Sequence, residues 1–92
     1  MIRSFASRDT ERLFLSVPVP RFRNIERPAR RKLLLLHAVH SLNELRILPE
    51  NHLESLIGRR AGQHSIRINN QWRICFRWTG IDAYDVEIID YH

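Results

Sequence analysis

The chain has 92 residues, 43% of them hydrophobic, with three glycines and four prolines; this describes one folded domain with a modest core and excludes a disordered tail or a deep, enclosed substrate cavity. Its formal charge of +5 at neutral pH and isoelectric point near 10.6 come from 15 basic residues against 10 acidic ones, a balance that favours polyanionic partners. A single cysteine, Cys75, excludes an internal disulfide, and no run approaches the roughly 18 apolar residues of a membrane span, so a cytoplasmic protein with no membrane partner is expected.

From the start of the chain, Ile2 to Phe5 alternates apolar and polar residues as a short strand does, without the apolar run of a secretory signal. Ser7 is placed to cap a helix with Asp9 and Glu11 in its first turn and Leu13, Phe14 and Val17 as its buried stripe. Pro18 and Pro20 end that helix, and the stretch to Glu26 reads as a basic connector carrying Arg21 and Arg23. Pro28 suits the first turn of a second helix, with Leu35, Ala38, Val39, Leu42 and Leu45 at helical spacing through Arg46. Arg27, Arg30, Arg31 and Lys32 crowd its opening, where the helix dipole disfavours cations, so they are expected to face solvent or a negatively charged partner. His37 and His40 lie a turn apart; no third ligand is spaced to complete a metal site, and solvated surface histidines are the expectation.

Leu53 to Ile57 suggests a short strand, and from His64 the pattern turns to period two in three strands, His64–Asn69, Trp72–Trp78 and Tyr84–Tyr91. Short connections make the sheet antiparallel. The expected fold is α+β, two N-terminal helices packed on a small antiparallel sheet, as a single domain over residues 1–92.

Side chains alternate across a strand, so Ile66, Ile68, Trp72, Ile74, Phe76, Trp78, Val86 and Ile88 form one apolar face toward the helices. Ser65, Arg67, Asn69, Gln71, Arg73, Cys75, Arg77, Asp85, Glu87, Ile89 and Tyr91 take the other. Odd-length loops preserve that division: one loop sets Arg67 opposite Arg73 and Ile66 opposite Ile74, the next sets Trp78 opposite Tyr84, Arg77 opposite Asp85, Cys75 opposite Glu87 and Gln71 opposite Tyr91. Arg77 thereby gains an acidic partner and reads as structural. Arg67 and Arg73 face one another, a repulsive pairing that becomes favourable when an anion bridges them, and Tyr91 lies one step away.

The basic residues are guanidinium groups apart from Lys32, and a guanidinium fork matches phosphate oxygens in pairs. From Ser55 to Ile81 no acidic residue occurs, while Arg59, Arg60, Arg67, Arg73 and Arg77 do, the pattern of a phosphate-binding surface. Plainer readings stand beside each candidate. A coding bias toward arginine accounts for composition; Arg67 and Arg73 can be solvated edge residues, Tyr91 a half-buried sheet aromatic, His64 a surface residue, and His92 either a frayed end or a general acid beside bound phosphate.

The run Gly58-Arg59-Arg60-Ala61-Gly62-Gln63-His64-Ser65-Ile66-Arg67-Ile68-Asn69-Asn70-Gln71-Trp72-Arg73-Ile74, the closing Asp90-Tyr91-His92 and the opening Met1-Ile2-Arg3-Ser4-Phe5 resemble the HigB branch of RelE-type toxins. That resemblance implies a compact α+β fold, cleavage of messenger RNA in the decoding site of the 70S ribosome, growth arrest through translation inhibition, and an antitoxin of helix-turn-helix type through which any contact with DNA is indirect. It implies phosphate and transition-state roles for Arg67 and Arg73, substrate or ribosome contacts for Asn70 and Gln71, and a catalytic end of Asp90, Tyr91 and His92; Arg59, Arg60 and His64 join as RNA-binding residues. Relatives often carry His and Lys where Glu54 and Ile57 stand, which implies weaker acid–base machinery with Glu54 as the substitute base or as a salt-bridge residue. No metal or cofactor is expected: the implied reaction is attack of a 2′-hydroxyl on its own phosphate, with arginines holding charge and Tyr91 handling protons. A non-catalytic RNA- or ribosome-binding module uses the same basic face, and a protein docking an acidic surface with its basic helix turn is a third reading.

Overall fold

The computed structural model describes residues 1–91, so the catalytic expectation for His92 lies outside the described residues. Three α-helices, α1 (Arg8–Phe14), α2 (Glu26–Ala38) and α3 (Leu42–Arg46), precede strands β1 (Glu54–Ser55), β2 (His64–Arg67), β3 (Trp72–Thr79) and β4 (Asp82–Asp90). The strands form one antiparallel sheet in the order β1-β2-β3-β4.

Two of the three helices, α1 and α3, begin where a side chain caps the first turn, whereas α2 starts after Ile25 without a side-chain cap. Ser7 Oγ accepts from the Thr10 N–H at 3.3 Å and starts α1, which ends at Phe14; Val17 therefore falls beyond the helix and is exposed, while Thr10 is buried in its place. The expected single helix from Pro28 to Arg46 is two. At Val39 the backbone turns extended, with ψ at 151°, and Ser41 accepts from the Glu44 N–H at 3.3 Å while the Glu44 carboxylate accepts from the His40 N–H at 2.6 Å. Ser41-Leu42-Asn43-Glu44 is a capping box, and its two bonds favour a fresh start over continuation. The buried stripe of α2 is accordingly Ala29, Leu33 and Leu36, with Ala38 exposed.

The basic connector is more than a connector. Pro20–Ile25 winds into a 3₁₀ helix that buries Phe22 and Ile25, and the Phe22 ring meets Trp72 edge-on at 5.5 Å. His37 is not simply solvated either: its Nδ1 accepts from the Ile2 N–H at 3.1 Å beside the Phe14 ring. Ile2 and Phe5 bridge in parallel to Ala83 and Val86 of β4, so the first residues cover that strand's edge without a full ladder.

On the helix-facing side, Ile66, Ile74, Phe76, Val86 and Ile88 are buried among Leu13, Leu33, Leu36 and Leu45. Ile66 pairs with Ile74 and Arg67 with Arg73, as alternation predicts. Between β3 and β4 the turn is two residues, Gly80 and Ile81, and pairs Trp78 with Ala83 and Arg77 with Tyr84. Cys75 nonetheless pairs with Glu87, because β4 carries one extra residue opposite Phe76. Asp85 supplies it, in the left-handed region at φ 52° with its N–H donated to Ser4 Oγ at 2.8 Å. The bulge restores the parity that an even turn would break. Arg77 still reaches the Asp85 carboxylate at 3.4 Å. Among the described residues no helix is long and apolar enough to cross a membrane.

Candidate functional site

The odd-numbered face of the sheet is partly covered. Ser65, Arg73 and Cys75 are buried on it, since the segment beginning at His52 folds back against this side, tied by its backbone to Arg73 and by Arg60 to Glu87 of β4. His52, left-handed at φ 43°, turns the chain from a 3₁₀ turn at Pro49–Asn51 toward β1.

Arg73 is the centre of the arrangement and is only 6% exposed. Its Nε donates to Ser65 Oγ at 2.8 Å, and its Nη2 donates to the carbonyls of His52 at 2.5 Å and Ser65 at 3.3 Å. Those acceptors are neutral, and among the described residues no carboxylate pairs with the guanidinium. A buried cation must be hydrogen-bonded, and this one is, without being cancelled. Over it lies Tyr91, 45% exposed, with its ring centroid 5.6 Å from the Arg73 Cζ and its N–H donated to Gln71 O at 2.6 Å.

Tyr91 forms one wall of an open groove of about 620 Å³ whose lining includes Glu54, Arg59, Arg60 and Asp90. Five of the candidates read from the sequence thus meet in one place, with Arg73 beneath. They are not equivalent. Arg60 is held by Glu87 at 3.0 Å and Gln63 at 3.1 Å, which anchors the loop, whereas Arg59 makes no ion pair to a described residue. Asp90 accepts from Gln71 Nε2 at 3.0 Å, fixing the end of β4 to the Asn69–Gln71 turn. Ile57, 88% exposed, stands at the groove as an uncovered apolar side chain.

Arg67, with Asn70 and Gln71 in the turn after it, and His64 lie outside that lining. Arg67 is opposite Arg73 in the ladder, yet its guanidinium bonds to Asn70 Oδ1 and opens on a second depression of about 550 Å³ shared with Arg31 and Lys32 of α2. His64 sits at the β2 edge on the helix side, its ring 6.0 Å from Phe76 and its Nδ1 3.4 Å from Ser55 Oγ. Burial, with a contribution from Arg46, pushes its pKa down. Burial likewise raises the thiol of Cys75 and so keeps it inert. Among the described residues no three His, Cys, Asp or Glu side chains converge as a metal site.

Sequence reasoning passed over Ser65 and the His52 carbonyl, which orient Arg73. A signal existed for the first: Ser65 pairs with Cys75, two residues from Arg73 on the same face, and a small hydroxyl there is within diagonal reach of a long side chain. Nothing in the sequence marks a carbonyl.

A family model described as the RelE-like toxin of the type II toxin–antitoxin system HigB matches residues 4–92. The chain is similar to Toxin HigB-1 of Vibrio cholerae, 44% identical over 55 residues that cover 60% of this chain and 58% of that protein. It is also similar to an uncharacterised protein of Haemophilus influenzae, 36% identical over 55 residues, 60% of this chain and 54% of the relative. The matched stretch thus spans little more than half of either relative's length.

Proposed function

The chain belongs to the HigB-like family of RelE-like toxins, and on that premise we propose that it is an endoribonuclease toxin that cleaves messenger RNA on the ribosome and arrests translation. One observation carries the reading. The Tyr91 ring lies 5.6 Å from a buried, uncancelled guanidinium at the wall of a groove that also holds Glu54, Arg59 and Asp90.

The chemistry follows from those groups. The 2′-hydroxyl of a nucleotide in the groove attacks its own phosphorus, the bond to the 5′-oxygen breaks, and the products are a cyclic phosphate and a free 5′-hydroxyl. Charge builds on the phosphoryl oxygens, where Arg73 from below and Arg59 from the loop offer donors; one such donor is worth about 10²–10³ in rate. Arg67 supports the same strand from across the rung. Tyr91 exchanges protons with the reacting oxygens, with Glu54, Asp90 and His92 as partners in taking or returning them. The protein's own groups suffice for each step, so neither a metal nor a cofactor is invoked. Asn70, Gln71, Arg60 and His64 remain proposed contacts to message or ribosome.

As partner we propose an antitoxin of helix-turn-helix type, expected to be encoded beside this chain, with both acting in the cytoplasm. Growth arrest on expression that disappears with the neighbouring small gene supports the toxin reading, and absence of arrest counts against it. For the reaction, programmed ribosomes with purified protein in EDTA should yield 5′-hydroxyl ends, and Tyr91→Ala should abolish them with the fold intact. A second reading, a non-catalytic RNA- or ribosome-binding module, is favoured by the saturation of Arg73 Nε and Nη2 with structural acceptors. It predicts ribosome binding without any cleavage.

A further inference from the structure

A second depression lies beside Arg67. Arg31 and Lys32 enter it from α2, Arg67 and Asn69 from the end of β2 and its turn, and Glu50 from the 3₁₀ turn, leaving three cations against one carboxylate. Arg31 is exposed and bonds to no described residue, and Arg67 bonds only to the neutral Asn70. Lys32 Nζ donates to Asn51 Oδ1, and the buried Asn51 side chain is itself fixed by its Nδ2 donating to Leu45 O at 3.0 Å. Six arginines elsewhere, Arg3, Arg12, Arg21, Arg30, Arg60 and Arg77, are paired with carboxylates. Arg8, Arg23, Arg27, Arg46, Arg59 and Arg73 likewise have no carboxylate partner among the described residues, so what marks this depression is the convergence of three cations on one concavity with a single carboxylate.

Position supplies the rest. Arg67 is the register partner of Arg73, which lies under Tyr91, and the Asn69–Gln71 turn joins the two concavities: Asn69 lines one, while Gln71 holds Asp90 of the other. We infer that Arg31, Lys32 and Arg67 bind a phosphodiester of RNA next to the reacting groove, and that Arg31 of α2 is a positioning residue for the strand cleaved there. A concave site with convergent donors suits the compact phosphate group; an acidic protein surface is the alternative occupant. The inference deepens the ribonuclease reading and rests on it for its purpose, though binding can be tested alone.

The experiment compares wild type, Arg31→Ala and Glu50→Gln for binding to two probes: a short single-stranded oligoribonucleotide, and ribosomes carrying no message. Arg31→Ala removes an exposed side chain from a helix and should leave the melting temperature unchanged. If the phosphodiester belongs to the message, Arg31→Ala weakens oligonucleotide binding about tenfold and lowers the salt slope by about 0.7, the value for one phosphate contact on a single strand. Weakening confined to empty ribosomes places the phosphodiester in ribosomal RNA. Glu50→Gln should tighten whichever probe Arg31→Ala loosens. Unchanged affinity for both probes overturns the inference and leaves an acidic protein as occupant. Tyr91→Phe separates the two readings: if wild type and Tyr91→Phe alike fail to cleave yet show the Arg31 dependence, the ribonuclease proposal falls and the phosphate site stands.

Discussion

Tyr91 is bound to the molecule in two separable ways, by its ring and by its backbone N–H, and neither uses the hydroxyl. The ring covers the Arg73 guanidinium, and the backbone N–H is tied to Gln71. Tyr91→Phe keeps both, so it should fold, melt and bind RNA as wild type does while cleavage falls by about 10² or more, the usual worth of a positioned acid–base group. Cleavage by Tyr91→Phe at the wild-type rate would assign proton transfer to another side chain. Arg73→Lys is the complementary change. A lysine keeps the charge but cannot donate at once to Ser65 Oγ and the His52 carbonyl, and the orphaned buried acceptor costs about 1–3 kcal/mol. Urea titration should show that loss together with lost cleavage; undiminished stability would mean that Arg73 is not the pin of the His52 segment.

His64 makes a prediction in pH. Burial, and after it Arg46, holds its folded-state pKa below the ordinary value near 6.5, so the unfolded chain takes up the proton first as pH falls. Between the two values the unfolded state binds more protons, and stability must rise with pH through that window. Stability should therefore decline as pH drops below about 6.5, and His64→Gln should flatten the decline. An unchanged profile in His64→Gln would place the effect elsewhere.

At the scale of elements, period-two alternation from His64 to Trp78 made Arg67 opposite Arg73 legible, whereas the expected register pairs Trp78 with Tyr84 and Arg77 with Asp85 do not form, and Cys75 meets Glu87 only because the bulge offsets a two-residue turn. Asp85 was not legible as a bulge, since an aspartate in the left-handed region leaves no mark on hydropathy. The capping box at Ser41 to Glu44 was present but overridden by a continuous helical period running through it. Least visible was the 3₁₀ helix before α2, whose prolines and arginines look like a linker although Phe22 lies in the core. Phe22→Ala should cost about 3–5 kcal/mol in urea denaturation, the cost of emptying a core aromatic site, where a linker residue would cost almost nothing. Thr10 tests α1 in the same way. Its Oγ1 accepts from the buried Ile88 N–H at 2.9 Å, so the near-isosteric Thr10→Val should destabilise by about 1–3 kcal/mol despite added hydrophobicity. Neutrality would mean that α1 docks on β4 by packing alone.

Across the whole molecule, arginine serves two ends that composition merges. Paired arginines, such as Arg77 with Asp85 and Arg60 with Glu87, tie elements together, while Arg31, Arg59, Arg67 and Arg73 carry no carboxylate partner among the described residues and line or underlie the two concavities; Arg8, Arg23, Arg27 and Arg46 are unpaired as well and line neither. A charge count alone cannot divide these sets, because the division depends on which side chains the fold brings within 4 Å. Salt makes it measurable. Ion pairs on the surface contribute little to stability and are screened, so the melting temperature should move only slightly with ionic strength. Oligoribonucleotide binding should instead weaken steeply: three or four phosphate contacts at about 0.7 each give a log–log slope of about −2 to −3, a loss of about twenty- to fiftyfold between about 50 and about 200 mM salt. A slope near zero would show that the unpaired arginines hold no phosphates, and would reduce the arginine content of this chain to coding bias.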